Sequence, residues 1–203
     1  MVYVDDIVLT GPRLEWIIKF KDIIKSKFKI KDLGQAQLIL GISVVYSKAD
    51  NTLKLHQAKY IADMLSRFGM ESCNPAKSPM ATGGFSDTGT ELDPHATTQY
   101  RALVGSLLYA STGTRPDIAY AVSFLSRFMG SPQRQHWLAA KRALSCLKGT
   151  IEHGQEYHGS NKEPNVLVGF SDSNWANEVQ RRSTSGYSFK MNGAAISWKS
   201  QRQ

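Results

Sequence analysis

Cysteine is scarce. The 203 residues hold only Cys73 and Cys146, far apart and in no Cys-x-x-Cys pair. That excludes a disulfide framework and a structural zinc centre, and it fits a reduced, intracellular chain, cytoplasmic or nuclear. Long apolar runs are missing too. A helix needs roughly 18 consecutive apolar residues to cross a bilayer, and no such stretch occurs, so no membrane partner is expected. The N-terminus lacks the basic patch, apolar core and small-residue cleavage site of a secretory signal. No internal repeat is present. With 41% hydrophobic and 21% charged residues, the composition is globular, which excludes a disordered or collagen-like chain.

Basic residues exceed acidic ones. Lys and Arg number 25 against 17 Asp and Glu, for a net charge of +8. The excess is evenly spread. Residues 1–80 carry 12 basic and 8 acidic side chains, and residues 81–203 carry 13 and 9. This is the electrostatic footprint of a polyanion binder, without a basic tail.

Local patterns predict the elements. Two β-rich runs, Val2 to Val4 and Ile7 to Thr10, flank Asp5-Asp6. They read as a hairpin with two carboxylates at its tip. Pro12 suits the first turn of a helix, and Leu14, Ile17, Ile18, Phe20, Ile23 and Ile24 keep helical spacing to Ser26. A second hairpin runs from Gln37 to Tyr46, through a polar turn at 48–51, to Thr52–Leu55. His56 to Phe68 reads as a helix stopped by Gly69. Residues 72–95, with Pro75, Pro79, Pro94, Gly83, Gly84 and Gly89, read as a linker. Helices are expected at about 98–112, 116–129 and 132–148, two of them opened by Pro116 and Pro132. A polar stretch from Ser160 to Pro164 follows. Strands are then expected at 166–170, directly before Asp172, and at 187–191 and 195–198. Asn192-Gly193 is a type I′ turn signal between the last two.

Paired carboxylates on a tight turn repel each other unless a cation sits between them. Mg²⁺ takes oxygen ligands completed by water and substrate phosphates, and two such ions can drive phosphoryl transfer. Two weaker groupings point elsewhere. His153, His158 and Cys146 match no metal-ligand spacing and read as surface histidines beside a plain cysteine. The aromatics at 100, 109, 120, 124 and 128 read as helix core rather than base-stacking platforms.

Tyr3-Val4-Asp5-Asp6 within a strand-turn-strand resembles the catalytic hairpin of reverse transcriptases. Phe28-Lys29-Ile30-Lys31-Asp32-Leu33-Gly34 and Leu40-Gly41-Ile42 resemble the stretch that follows it in Ty1/copia-type retrotransposons. Asn74 to Met80 is similar to the end of that domain. Tyr100 to Tyr109 and Thr114-Arg115-Pro116-Asp117-Ile118 are similar to the connection region. Ser171 to Ala176, then Arg181 to Tyr187, resemble the start of the copia-type RNase H domain.

The resemblance implies an α+β chain in three parts. Residues 1–80 would be the C-terminal part of a reverse transcriptase, with palm hairpin and thumb helix. Residues 81–165 would be a linker and helical connection, and 166–203 the first strands of an RNase H-like domain, with no single compact core. It implies Mg²⁺ as cofactor and an RNA/DNA template-primer or RNA–DNA hybrid as partner. Asp5 and Asp6 would be catalytic metal ligands of the polymerase site, and Asp172 the first carboxylate of the RNase H cluster. Lys31 would assist pyrophosphate departure. Gly41, beside Leu40, would lie near the primer grip, and Arg181 and Arg182 would contact phosphate. Further carboxylates expected of both sites fall outside these residues. The chain is therefore expected to be a truncated fragment, inactive alone, that self-associates through exposed sheet edges. The alternative is a non-catalytic nucleic-acid-binding or structural module derived from a retrotransposon.

Overall fold

Val2–Tyr3 (β1) and Asp6–Ile7 (β2) pair antiparallel, with Tyr3 opposite Asp6. Met1 and Val8 extend the pairing through two backbone hydrogen bonds of 2.9 Å. The turn residues are thus Val4 and Asp5, and Asp6 belongs to the strand instead of the tip. Val4 sits at φ +48°, a conformation that β-branched residues rarely adopt. Helix α1, Leu14–Lys27, has Glu15 in its first turn and Lys25 and Lys27 in its last, each complementing the helix dipole. None of its side chains is buried. Asp32 ties the segment after it back to the helix. Its carboxylate accepts hydrogen bonds from Lys21 Nζ at 2.9 Å and from the Gly34 N–H at 3.0 Å.

This computed structural model describes residues 1–81, 89–159, 165–174 and 183–203. The chain divides into two compact units, Met1–Gln37 and Leu38–Gln203. It is an α+β protein.

The second unit contains two antiparallel sheets. Leu38–Ile39 (β3), Ile42–Ser47 (β4), Thr52–His56 (β5) and Gly154–His158 (β6) form one, in the order β3-β4-β5-β6. The expected run from Gln37 to Tyr46 is therefore two strands, broken at Leu40-Gly41. Strand β6 has no apolar alternation to betray it. Its register against β5 (Leu53 opposite Tyr157, Leu55 opposite Gln155) is set about a hundred residues away in sequence. Val168–Asn174 (β7), Thr184–Met191 (β8) and Ala194–Arg202 (β9) form the other sheet. Strand β7 is longer than expected, so Asp172 lies within it rather than after it. Asn192 (φ +52°) and Gly193 (φ +96°) make the β8–β9 turn.

Between β5 and β6 in sequence lie the helices of this unit. Ala58–Arg67 (α2) stops at Gly69, whose φ of +62° suits glycine. Pro94–Gly113 (α3) starts on Asp93, whose carboxylate accepts the Ala96 N–H at 2.8 Å, with Pro94 at the first position. A 3₁₀ turn, Pro116–Ile118, leads into Ala119–Ser126 (α4), and Arg134–Gly149 (α5) follows. Ile61, Met64 and Leu65 of α2 share one core with Tyr100, Leu103, Val104 and Leu107 of α3. Val122 and Leu125 of α4 and Ala140, Leu144 and Leu147 of α5 complete it. The expectation of no single core therefore fails among the helices, since α2 shares one with α3, α4 and α5.

Buried polar groups fix that core to both sheets. Arg115 is 1% exposed. Its guanidinium forks onto Asp117 at 2.9 and 2.7 Å and donates to the Thr150 carbonyl at 2.9 Å. Thr114 Oγ1 donates to Gln57 Oε1 at 2.9 Å. Gln155 Nε2 donates to the Thr114 carbonyl at 3.0 Å, while Gln155 Oε1 accepts the Ala195 N–H at 2.8 Å. Trp198 Nε1 reaches the Ser111 carbonyl at 2.9 Å. One amide side chain on β6 thus joins helix α3 to strand β9.

Candidate nucleic-acid interface and carboxylate sites

The described candidate residues lie on the β1–β2 hairpin, in the segment after α1, in the β3–β4 turn and on β7. The β1–β2 hairpin exposes both Asp5 and Asp6. Lys31 is exposed in the segment after α1. Beside it, Asp32 is held below the usual carboxylate range, first by the hydrogen bond from Lys21 and then by the Gly34 N–H. Asp32 thus neutralises part of the charge of the lysine run, and Lys31 is not one of its hydrogen-bond partners.

The β3–β4 turn is built differently. Leu40 (φ +50°) and Gly41 (φ +72°) both take left-handed conformations, the signature of a two-residue type I′ turn. Leucine is unfavourable there, because its Cβ crowds the following carbonyl. A hydrogen bond from the Tyr109 hydroxyl to the Leu40 carbonyl holds the turn. A Cβ on Gly41 would lie 3.4 Å from that hydroxyl. Tyr109 in turn meets the ring of Tyr60 edge-on, with centroids 4.9 Å apart and planes at 65°. Tyr60 donates its own hydroxyl to the Ser106 carbonyl at 3.2 Å, and burial pushes its pKa up.

Asp172 is exposed on β7, opposite Gly186, and its carboxylate accepts the N–H of Ser173 at 2.9 Å. Arg181 and Arg182 lie outside the described residues.

The carboxylates suit a hard cation such as Mg²⁺ in donor type. Their number does not. Among the described residues no three His, Cys, Asp or Glu side chains come together as a metal-binding group. The hairpin contributes two adjacent carboxylates and β7 contributes one, so the described residues do not complete a two-metal centre. His153 and His158 are exposed and Cys146 is buried. Among the described residues no helix is long and apolar enough to cross a membrane.

Residues 1–82 match the family model described as reverse transcriptase (RNA-dependent DNA polymerase). An uncharacterized mitochondrial protein of Arabidopsis thaliana is 37% identical over the whole chain, which spans 82% of that relative. The chain belongs to the copia-type reverse transcriptase family. The Pol polyprotein from transposon TNT 1-94 of Nicotiana tabacum is 38% identical over 100% of this chain, and that from transposon RE1 of A. thaliana is also 38% identical over 100%. The chain spans only 16% and 14% of the length of those two polyproteins. No solved structure is significantly similar.

Two of the five aromatics expected in the helix core lie outside it. Tyr109 is 39% exposed and Tyr120 is 46% exposed, so neither is core. The signal was present. The buried stripe of α3 runs through Tyr100, Leu103, Val104, Leu107 and Ser111, and position 109 falls off that spacing. Tyr109 faces the β3–β4 turn instead.

Proposed function

We propose that the 203 residues carry the primer-side half of a copia-type reverse transcriptase together with the lead-in to its RNase H domain. On this reading residues 1–80 supply the palm hairpin and thumb, 81–165 the connection, and 166–203 the first RNase H strands. Asp5 and Asp6 present carboxylate oxygens to Mg²⁺, which when bound supplies charge stabilisation for phosphoryl transfer. Asp172 does the same for the RNase H centre. Lys31, the Gly41 turn, Arg181 and Arg182 contact template-primer or hybrid backbone. The observation that carries this reading is the exposed Asp5-Asp6 hairpin inside the segment that matches the reverse transcriptase model.

Among the described residues no carboxylate group is large enough for two-metal chemistry, and on this reading the isolated 203 residues are expected neither to extend primers nor to cut hybrids. The chain's own contribution is to hold the acidic pair on an exposed hairpin, Asp5 in its turn and Asp6 on its second strand, and to contact nucleic acid. A primed RNA template offered with Mg²⁺ or Mn²⁺ tests this. No extension is expected, and template-directed extension that disappears in Asp5→Asn overturns the inactivity. An RNA–DNA hybrid should likewise stay intact, and cleavage lost in Asp172→Asn would show that the missing ligands come from elsewhere.

A second reading, a non-catalytic nucleic-acid-binding module, rests on the net charge of +8. Both readings expect binding that weakens with salt. If about six phosphates are neutralised, affinity should fall on the order of a thousandfold between roughly 50 and 200 mM salt. Preference for a recessed primer terminus over plain duplex separates the first reading from the second.

A further inference from the structure

The strained turn between β3 and β4 has a built support, and that support comes from the connection helix. Leucine at φ +50° persists only where its surroundings over-determine it, and such outliers gather where a backbone must be held in one position. The surroundings here are specific. The Tyr109 hydroxyl donates to the carbonyl of Leu40 itself. The hydroxyl also lies against Gly41, within van der Waals reach of where a Cβ would stand, 3.4 Å away. Tyr60 braces the Tyr109 ring edge-on from α2, and its own hydroxyl is fixed to α3 at the Ser106 carbonyl. Sixty-nine residues separate Leu40 from Tyr109 in sequence. Helices α2 and α3 therefore both bear on one turn.

We infer that Tyr109 is a positioning residue for nucleic acid: it holds the Leu40-Gly41 turn so that the turn meets the sugar-phosphate backbone of the primer strand in one geometry. This rests on the reading of that turn as a primer contact. It adds that the contact is set from the connection helix, so the state of α3 governs how the primer is held. Glycine at 41 suits the left-handed turn, whose φ there is +72°.

The test uses the full 203-residue chain with Tyr109→Phe, which keeps the ring and its contact with Tyr60 and removes only the hydroxyl. Hydrogen exchange reads the turn, and binding of a primed DNA duplex with a recessed end reads the function. Loss of one net hydrogen bond should speed exchange at residues 39–42 by about fivefold. Exchange in the buried stripe of α3 should not change, which shows that the variant is folded. Affinity for the recessed primer should fall severalfold while the salt slope stays the same, because no charge has been removed. Tyr120→Phe, at an exposed tyrosine of α4, serves as the control and should leave exchange at the turn as in wild type.

Unchanged exchange at 39–42 in Tyr109→Phe overturns the anchor. Faster exchange with unchanged primer affinity overturns the link from anchor to nucleic acid. If the wild-type chain shows no preference for a recessed primer end, the reading of the turn as a primer contact fails, and the exchange data still decide whether Tyr109 holds it.

Discussion

Helices α1 and α5 are of similar length, 14 and 16 residues. Helix α1 is the richer in large apolar side chains, with Leu14, Trp16, Ile17, Ile18, Phe20, Ile23 and Ile24. Yet α1 buries none of its residues, while α5 buries seven, among them Ala140, Ala143, Leu144 and Leu147. Helix α5 uses small residues to approach its neighbours closely and a few leucines to fill the gaps, as close-packed interiors require. Helix α1 offers bulk but leaves most of it exposed, with only Ile17 and Ile24 of its large apolar side chains half-buried. An apolar stripe is thus a demand for a partner, and it stabilises only where one is supplied.

The sharpest way to break this contrast is to open the core around α5. Leu144 is fully buried among α2, α3 and α4 residues. Leu144→Ala should cost about 3–4 kcal/mol through lost burial plus an unfilled cavity. Denaturant unfolding followed by tryptophan fluorescence measures it. A loss below about 1 kcal/mol would mean that the core relaxes freely and is no better packed than α1.

Next in size is Arg115. Its guanidinium is buried while Asp117 stays half in solvent, so the pair is not a surface ion pair of negligible worth. Arg115→Met should cost about 2–3 kcal/mol, because the Thr150 carbonyl at the end of α5 loses its charged donor. Arg115→Lys should not restore it, since an ammonium cannot make the fork to Asp117 and reach Thr150 together. Full rescue by lysine in the same unfolding experiment would show that charge alone matters.

Arg115 also shows what could be read in advance. Thr114-Arg115-Pro116-Asp117-Ile118 stood out as a family motif, and Pro116 correctly marked a helical start. Its role as a buried clamp did not show, because the partner, Thr150, lies 35 residues away. The same holds elsewhere. Helices α2 to α5 and the Asn192-Gly193 turn followed from local spacing and turn chemistry. Strand β6 did not, since Gly154-Gln155-Glu156-Tyr157-His158 becomes a strand only by pairing with β5. Asp5 and Asp6 were readable as a carboxylate pair on a hairpin, whereas Asp172 was singled out by resemblance and its place inside β7 follows only from pairing with β8. Tyr109 was not, although its place off the buried stripe of α3 was a usable clue.

A smaller effect comes from pH. His136 is 3% exposed, its ring stacks on Phe128 at 3.7 Å, and its Nδ1 accepts the Gln133 N–H at 3.0 Å. Desolvation lowers its pKa from the ordinary 6.5, so the folded chain keeps it neutral. Between the lowered folded value and 6.5 the unfolded chain binds more protons. Stability therefore rises with pH through this window, is complete above about 6.5, and declines as the solution is acidified below it. Melting temperature should drop on going from pH 7.5 to 5.5, and His136→Gln should flatten that part of the profile. Helix α1 holds no histidine and should show no such dependence in hydrogen exchange, which sharpens the contrast between the two units.

The smallest expected effect is the most pointed. If the apolar side chains of α1 contribute nothing by burial, replacing them should leave stability almost untouched. Ile18 and Phe20 are 50% and 46% exposed. In Ile18→Gln with Phe20→Gln, the global unfolding free energy should shift by no more than about 0.5 kcal/mol, the range of ordinary surface substitutions. Glutamine is a good helix former, so α1 itself should persist through its Lys21–Asp32 tie. The same pair of substitutions in α5, at Ala143 and Leu144, would put two amides into the core and prevent folding. Solubility gives an independent reading, because an exposed apolar stripe recruits other chains and the double variant should stay monomeric at higher concentration. A loss of more than about 1 kcal/mol in the α1 variant would show that the stripe is packed in solution, and the difference between the two regions would then be one of partner rather than of burial.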